Sequence, residues 1–505
     1  MISHDKHTVI LMANVLSFDE NKNQRVEMFS LVWLDPNASV SQNTEQKLRS
    51  IINQFKHFQD ILQCQEFIQK TSVNDRIILV VTGRLGQEIV PKIHQLRQII
   101  SIYVYCMNKQ ANEEWSSKYS KIKQIFIDLD ELCLQIKTDY RIERRLQEPL
   151  AIHIFSPGES STDVFVQVLI DCLLKLKSKS QDQRELIGLL KLQYAGNTDE
   201  LNSIHTFQRT YRPNAVLQWY TKECFFSKTL NSILRNEDIH FMFLFRSLIY
   251  DIQQQLQKYQ PKQIIQVYRS QIISKDELEN LKKSMNKFIS FNSFLSTTIN
   301  YQRAFSFLNL SKSTENTDKI LFIIQADPTI AGKTKPFAHI SRFSEHVDDD
   351  EVLFMIGSIF RLNNISFDHK YQYWIIQMTL SPTDNKQLQE NINLRVLSKI
   401  LWRMGKFDLA EEYLKRFLRE IPLHDATRED IYEDLAEIAS QLDDFEKSIK
   451  WRQKSIEFKQ NDSNNLSEEN INYGRNVLRN PGNYSIFYLI SIRISIDLFR
   501  TTYYS

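Results

Sequence analysis

The sequence predicts a multidomain protein with an N-terminal α/β domain on a parallel, doubly wound sheet, a central α+β domain and a C-terminal all-α repeat domain. Three observations support this prediction. The chain has 505 residues, enough for about three domains. Short apolar runs alternate with helical patterns before residue 150, whereas apolar residues follow a period of two after residue 264. Near the C-terminal end, two similar helical segments recur 38 residues apart.

The composition is that of a folded protein without a strong charge bias. Apolar residues make up 42% of the chain and charged residues 25%. Lys and Arg together number 63 against 61 Asp and Glu, a net charge of +2. Because no overall basic field exists, no nucleic-acid partner is expected. Glycine, at 10 residues, is too scarce for glycine-rich phosphate loops.

The cysteines and the N-terminal sequence limit the cellular compartments in which the protein is expected. The five cysteines are odd in number, scattered and never arranged as C-x-x-C, so neither a disulfide framework nor a zinc site is expected, and no metal is assigned. The first residues lack a basic start followed by an apolar core, and no uncharged apolar run is long enough to span a bilayer. These features predict a cytoplasmic protein with no membrane partner.

Residues 1–150 are predicted to form the α/β domain. The predicted strands are 27–35, 76–83, 100–107 and 122–130, and the predicted helices between them are 44–70, 87–97 and 131–147. Nearly continuous apolar strands that alternate with helices are typical of a parallel sheet covered on both faces. Gly83 and Gly86 follow the second strand. They indicate either a phosphate-facing turn or, as we favour, a strand-to-helix turn that needs positive φ. No catalytic role is predicted for this domain.

Residues 185–382 are predicted to form the central α+β domain. The region 150–260 carries helical apolar spacing, and the strand-rich part runs from 264 to 382. Helices followed by a mostly antiparallel set of strands are typical of an α+β domain.

Residues 393–460 contain the repeat. Phe407 aligns with Phe445 and Tyr413 with Trp451, and Gly405 lies in the first turn. Both units resemble tetratricopeptide helix–turn–helix repeats, which present concave grooves to peptides. Two repeats are fewer than the three usually needed for independent stability, so packing on the preceding domain or a truncated array is expected. The tail, 461–505, is apolar but interrupted by charges, which indicates a packing helix or a poorly ordered end.

Three short segments of the strand-rich region carry the candidate chemistry. They are Val267-Tyr268-Arg269-Ser270-Gln271, Phe291-Asn292-Ser293-Phe294-Leu295-Ser296-Thr297-Thr298 and Asp349-Asp350-Glu351-Val352-Leu353-Phe354. Taken singly, each has an ordinary explanation: a solvated arginine, a hydroxyl-rich turn and an acidic loop. In this order and spacing, they resemble the mono-ADP-ribosyltransferases of the Arg/Ser-Thr-Ser/Glu-x-Glu class, which includes clostridial binary toxins and arginine-specific vertebrate ecto-enzymes. The layout with C-terminal repeats resembles rotifer-type proteins, and the resemblance covers about residues 200–460.

The resemblance implies an ADP-ribosyltransferase fold that uses NAD as co-substrate, and physical chemistry supports the role of each residue. A strand-borne guanidinium such as Arg269 suits the pyrophosphate. Loss of nicotinamide leaves an oxocarbenium-like sugar cation, which a carboxylate such as Glu351 stabilises while holding the ribose 2′-hydroxyl. The Ser296 hydroxyl orients that carboxylate. Thr297 and Thr298 complete the motif and are also expected to border NAD.

Two aromatic residues extend the implied NAD site. Phe307 lies eleven residues after Ser296, where family members carry an aromatic that packs on nicotinamide, and Ala304 supplies the small residue before it. The alternative, that Phe307 belongs to the core beside Phe305, is equally favoured. Tyr220 resembles the helix-borne tyrosine of the family.

Two positions depart from the family pattern. Arginine-specific members place Glu two residues before the catalytic Glu, where it engages the acceptor guanidinium, but this chain has Asp349. The shorter side chain loses about 1.5 Å of reach. The family's Arg-Gly pair is Arg-Ser here, and Ser270 crowds the approach to nicotinamide. Both departures bear on transfer efficiency rather than on the fold.

The predicted activity is therefore that of an NAD–protein-arginine ADP-ribosyltransferase. The expected partners are NAD, a protein with an acceptor arginine and a peptide on the repeats. Two alternatives stay open: NAD hydrolysis on the same fold, favoured by the shorter Asp349, and a catalytically weak scaffold that binds partners through its repeats.

Overall fold

The structure is a computed structural model. It describes residues 27–36, 42–73, 75–147, 152–155, 162–310, 316–331, 335–344, 350–382 and 392–460. The chain divides into two compact units, Met1–Gln387 and Leu388–Ser505. The predicted tail, 461–505, lies outside the described residues.

A parallel sheet forms the first part of the N-terminal unit. Within the described residues its five strands are β1 (Phe29–Leu34), β2 (Gln54–Phe58), β3 (Arg76–Thr82), β4 (Ile99–Tyr105) and β5 (Ile122–Phe126). The strand order is β2-β1-β3-β4-β5, with every pairing parallel. The helices are α1 (Gln42–Ile51), α2 (Ile61–Lys70), α3 (Gly83–Ile93), α4 (Gln110–Ser116) and α5 (Leu129–Gln147). Alternate residues of β3 enter two hydrophobic clusters, one on each face, so the predicted parallel sheet is confirmed.

The predicted helix 44–70 is wrong in one respect, because strand β2 interrupts it. Gln54–Phe58 pairs with β1, and α2 begins after Asp60, whose side chain accepts a hydrogen bond from the Gln63 amide at 2.9 Å. Phe55 is buried while Lys56 is exposed, the alternation of a strand. Five residues are too few for this period to stand out from two flanking helical patterns.

The two glycines after β3 serve packing rather than a positive-φ turn, which corrects the favoured interpretation. Both lie inside α3, and neither has positive φ. A Cβ at Gly86 would lie 2.7 Å from the Val81 side chain and 3.0 Å from Trp115. A Cβ at Gly83 would lie 2.5 Å from Asn112. Gly86 therefore lets α3 pack closely against β3 and α4, whereas a Cβ at Gly83 would displace the end of the Asn112 side chain.

A group of helices and a mixed sheet complete this unit. The helices are α6 (Thr162–Lys175), α7 (Ser180–Gln193), α8 (Thr198–Thr210), α9 (Val216–Thr221), α10 (Phe225–Arg235), α11 (Ile239–Lys258), α12 (Lys275–Lys282), α13 (Tyr301–Leu310) and α14 (Pro328–Ala331). The strands are β6 (Ile152–Phe155), β7 (Ile265–Ser274), β8 (Phe288–Phe291), β9 (Leu295–Thr298), β10 (Thr317–Ala326), β11 (Phe337–His339), β12 (Glu351–Phe354), β13 (Ser358–Asp368) and β14 (Tyr373–Leu380).

In the described residues, the sheet has nine strands in the order β11-β12-β9-β7-β10-β14-β13-β8-β6. The described pairings are antiparallel except that of β10 with β14. Apolar side chains from its strands, including Val267, Phe322 and Phe354, form one buried cluster. This arrangement places β7, β9 and β12 side by side, and these strands carry the three candidate motifs.

The C-terminal unit contains two helix–turn–helix pairs within residues 392–460. They are α15 (Leu394–Arg403) with α16 (Phe407–Glu420), and α17 (Thr427–Gln441) with α18, residues 445–460. Gly405 and Asp443 occupy the two turns 38 residues apart, with φ of +72° and +59°. Gly405 is suited to this left-handed conformation because it lacks a Cβ. The helical repeat is thus present, and its tetratricopeptide character stays a prediction.

Across the part of the chain that the structure describes, no helix combines the length and the apolar character needed to cross a bilayer.

Candidate functional site

Three neighbouring strands bring the principal candidate residues together. The Ser296 hydroxyl donates a hydrogen bond to Glu351 Oε1, and the two oxygens lie 2.5 Å apart. Arg269 donates from Nη1 to the backbone carbonyl of Ser296 at 2.8 Å. All three residues are part-buried. Ser296 therefore contacts both the Arg269 guanidinium and the Glu351 carboxylate, although these two residues are 82 positions apart in sequence.

Strand registry explains why the Ser296 hydroxyl reaches the Glu351 carboxylate. Glu351 pairs with Thr298 across the antiparallel β9–β12 ladder. Ser296, two residues before Thr298, lies on the same face of β9. A diagonal contact of this kind is within reach of side chains on one sheet face.

The backbone of Glu351 is fixed on both sides. Its amide donates to Ser341 Oγ at 2.6 Å, and its carbonyl accepts from the Ile340 amide at 2.8 Å. Asp350, the preceding residue, has a φ of +45°, a left-handed conformation that Asp tolerates better than most residues. These contacts fix the backbone from which the Glu351 side chain extends, and the Ser296 hydroxyl holds its carboxylate.

Arg269 is oriented by Gln271, to which the sequence pattern assigns no role. The amide oxygen of Gln271 accepts from Arg269 Nε at 3.2 Å and from Nη2 at 3.0 Å. Gln271 lies two residues further along β7, on the same face, and is fully buried. Its own Nε2 donates to the backbone carbonyl of Leu146 in α5 at 2.9 Å. The N-terminal α/β domain is thus connected to the arginine by two successive hydrogen bonds.

The other hydroxyl-bearing residues of the motifs have structural partners. Ser270 lies on the face of β7 opposite Arg269 and donates to the carbonyl of Ala304 in α13. Thr297 is buried and donates to the Val352 carbonyl at 2.9 Å, also on the opposite face from Ser296. Thr298 Oγ1 accepts from the Asn300 amide at 3.1 Å, ahead of α13.

A cavity of about 510 Å³ opens beside the three principal residues. Arg269, Ser296, Glu351, Tyr220 and Phe307 all line it. Its volume lies in the range of about 300–1,000 Å³ that is typical of small-molecule sites.

Phe307 and Tyr220 occupy different parts of the cavity wall. Phe307 is part-buried on α13, with the guanidinium carbon of Arg145 5.4 Å from its ring centre. Tyr220 is largely buried; its hydroxyl donates to Asn231 at 3.2 Å, and its ring packs edge-on against Phe294 at 5.4 Å. Phe305, by contrast, packs against Tyr301, Tyr371 and Tyr373. Phe307 therefore lies on the cavity wall and Phe305 in an aromatic cluster.

Asp349, the remaining predicted site residue, lies outside the described residues. Among the residues that are described, no three His, Cys, Asp or Glu side chains are grouped as a metal site.

Positive charge dominates the cavity wall. Of the described residues that line it, eight are basic and two are acidic. The basic residues are Lys137, Arg141, Arg144, Arg145, Lys222, Lys228, Arg269 and Arg303, and the acidic residues are Glu223 and Glu351. A wall of this composition favours a ligand with several negative charges.

Two of these basic residues are partly neutralised by carboxylates. Lys228 is buried and lies 2.9 Å from Glu200. Burial lowers the pKa of Lys228, but the charges of Glu200 and its neighbours outweigh burial, so the pKa is raised and the ammonium stays charged. Arg141 lies 2.8 Å from Glu223.

Among the basic residues on the wall, only Arg269 is predicted from the sequence. Lys137, Arg141, Arg144 and Arg145 come from α5, in the domain for which no catalytic role is predicted. The only sequence signal is their spacing of four, three and one residues along a helical pattern, which places them near one face.

Comparisons with known proteins add the following findings. No protein-family model and no curated protein matches the sequence. Among solved structures, an ADP-ribosyltransferase from Clostridium botulinum aligns with 41% of this chain and 98% of its own, at 12% identity and a TM-score of 0.26. An ADP-ribosyltransferase toxin from Paenibacillus larvae covers 39% of this chain and 96% of its own, at 14% identity and a TM-score of 0.27.

An ADP-ribosyltransferase from Pseudomonas syringae covers 44% of this chain and 99% of its own, at 13% identity and a TM-score of 0.27. The neighbours are thus ADP-ribosyltransferases that align with part of the chain. At these scores the alignments establish neither an activity nor a substrate for it.

Proposed function

We propose that the protein is an NAD-dependent mono-ADP-ribosyltransferase that moves ADP-ribose from NAD to a protein arginine and releases nicotinamide. The observation that carries the proposal is the Glu351 carboxylate, held by the Ser296 hydroxyl at 2.5 Å, on the wall of a cavity that Arg269 also lines. A fixed carboxylate next to a phosphate-binding cation is what cleavage of the nicotinamide–ribose bond requires.

In the proposed reaction, the bond between the nicotinamide nitrogen and C1′ of the ribose breaks. The electron pair leaves with the nitrogen, which neutralises the pyridinium charge, and positive charge develops on the sugar. Glu351 stabilises that charge, as carboxylates do in glycoside cleavage. A nitrogen of the acceptor guanidine then bonds to C1′ and loses a proton, so atoms and charge balance.

The proposed contacts of NAD follow from the cavity wall. Arg269 binds the pyrophosphate with a guanidinium whose orientation is limited by Gln271 and by the Ser296 carbonyl. Phe307 offers an aromatic surface to the nicotinamide or its ribose. Tyr220 is held by Asn231 and forms another part of the wall. Thr297 and Thr298 shape the strand that carries Ser296, and Ser270 anchors β7 to α13.

The acceptor side of the proposal rests on the sequence. Asp349 precedes Glu351 by two residues and is the carboxylate proposed to bind the acceptor guanidinium. Its shorter reach favours water as a competing acceptor, and attack by water would yield free ADP-ribose. Arginine transfer and NAD hydrolysis share every step up to loss of nicotinamide and differ only in the acceptor. One assay that quantifies the products therefore distinguishes them.

The test is to incubate the full chain with labelled NAD, with and without agmatine as a guanidinium acceptor, and to quantify three products. The proposal expects release of nicotinamide and a labelled agmatine adduct. Free ADP-ribose without adduct identifies an NAD hydrolase instead. No release of nicotinamide by folded protein rejects both enzymatic functions and leaves the scaffold interpretation.

A further inference from the structure

Helix α5 belongs to the N-terminal α/β domain, yet it forms one wall of the cavity beside Glu351. Its lining residues include Lys137, Arg141, Arg144 and Arg145. Successive spacings of four, three and one residues place these cations near one side of the helix. No carboxylate of α5 is among the described lining residues. The side of α5 that meets the cavity is therefore basic.

Arg145 connects α5 directly to the catalytic wall. Its guanidinium carbon lies 5.4 Å from the centre of the Phe307 ring, and Arg303 approaches the same ring at 6.0 Å. Arg145 also lines a smaller cavity of about 50 Å³ together with Arg269 and Glu351. Three guanidinium groups from three different elements therefore border one space.

The position of α5 relative to the site is fixed by a buried contact. Gln271 Nε2 donates to the carbonyl of Leu146, the residue after Arg145, while the Gln271 amide oxygen accepts from Arg269. Gln271 is fully buried, so breaking either hydrogen bond leaves a polar group without water. The same side chain thus sets the position of the last turn of α5 and the orientation of Arg269.

We propose that α5 of the N-terminal domain forms the anion-binding wall of the dinucleotide site, with Arg145 contacting the pyrophosphate opposite Arg269. This inference rests on the proposed function for the identity of the ligand. It assigns the N-terminal domain a part in co-substrate binding. Guanidinium groups on both sides of a pyrophosphate provide charge-assisted hydrogen bonds that a single arginine cannot provide.

The test is the affinity of the full chain for ADP-ribose, which carries the pyrophosphate but no nicotinamide, measured by calorimetric titration in a Glu351→Gln background. Arg145→Ala is expected to raise Kd by about 10-fold, as for loss of one charge-assisted contact, and Arg145→Glu by more. Arg145 is exposed, so both variants are expected to fold. Arg84→Ala, which removes an exposed arginine of α3, is the matched control and should leave Kd unchanged.

Three outcomes overturn the inference. In the first, the Glu351→Gln protein with Arg145 intact fails to bind ADP-ribose. In the second, both Arg145 variants bind ADP-ribose as tightly as the Arg84 control. In the third, they bind it more tightly because α5 obstructs the cavity. Failure of the proposed function is a separate result: ADP-ribose binding depends on Arg145, yet the protein with Glu351 intact releases no nicotinamide from NAD.

Discussion

Replacing Ser296 with alanine should slow nicotinamide release without unfolding the protein. Ser296 contributes one hydroxyl to the site, and that hydroxyl donates to Glu351 Oε1 at 2.5 Å. Alanine keeps β9 intact, because the carbonyl of residue 296 still accepts from Arg269 and the ladder with β12 remains. The Glu351 side chain loses its orienting donor while its backbone stays fixed by Ser341 and Ile340.

The magnitude follows from the strength of that one interaction. A hydrogen bond to a charged group contributes about 1.5–3 kcal/mol. If this orientation is fully used in the transition state, each 1.4 kcal/mol is about a tenfold change in rate. We therefore expect kcat to fall by about 10- to 100-fold, with a smaller change in KM because the bound ground state does not need the carboxylate aimed at C1′.

The assay is steady-state release of nicotinamide at saturating NAD, with thermal unfolding measured on the same samples. Ser284→Ala is the matched control, since it removes a buried hydroxyl that donates to the Asn280 carbonyl at 2.7 Å in the same domain. The control should lose stability without losing kcat. A Ser296→Ala protein with wild-type kcat shows that the hydroxyl does not orient Glu351 for catalysis.

Three further predictions concern the acceptor, the packing of the α/β domain and the buried thiols. Asp349→Glu should shift products from free ADP-ribose toward the agmatine adduct, because the longer carboxylate reaches further; an unchanged ratio rejects the argument from reach. Gly86→Ala should lower the free energy of unfolding in urea by about 1–3 kcal/mol, because its Cβ would lie 2.7 Å from Val81. Burial raises the thiol pKa to about 12 in Cys64 and Cys172 and to about 11 in Cys224, from an ordinary value of 9.0. These thiols should therefore resist maleimide at pH 8.5 until the protein unfolds. The stability they contribute is present below pH 9 and should decline as the pH rises toward their folded values, since the unfolded thiols ionise first.

The sequence pattern predicts the parallel sheet because its central strands, β1, β3 and β4, are buried on both faces and read as continuous apolar runs. β3 and β4 are buried along nearly their whole length. Strand β2 is not predicted from the sequence because it is short and partly exposed, and because a helical pattern flanks it on either side. The role of Gly86 could not be predicted either, since it depends on how closely Val81 and Trp115 approach the helix, which tertiary packing sets.

The candidate site divides in a similar way. Arg269, Ser296 and Glu351 could be proposed from the sequence because the residue types and their order carry the signal, and the structure brings the three together. Gln271 could not, because a buried glutamine on a strand has no distinctive pattern until its two partners, Arg269 and Leu146, are placed around it. The role of the basic side of α5 could not be predicted for the same reason. Helical spacing shows that its cations share one side of the helix, but it does not show which part of the protein that side contacts.

Nicotinamide release by Glu351→Gln is the most direct test of the proposed chemistry. The amide is nearly isosteric and can still accept from Ser296, so only the negative charge beside the sugar is removed. Electrostatic groups of this kind contribute about 10²–10³ in kcat. We expect at least that loss in kcat, with an unfolding midpoint close to that of wild type and ADP-ribose bound within about threefold of the wild-type Kd, since the cavity's cations are untouched. A folded Glu351→Gln protein that binds ADP-ribose and releases nicotinamide at the wild-type rate contradicts the assignment of Glu351 as the catalytic carboxylate.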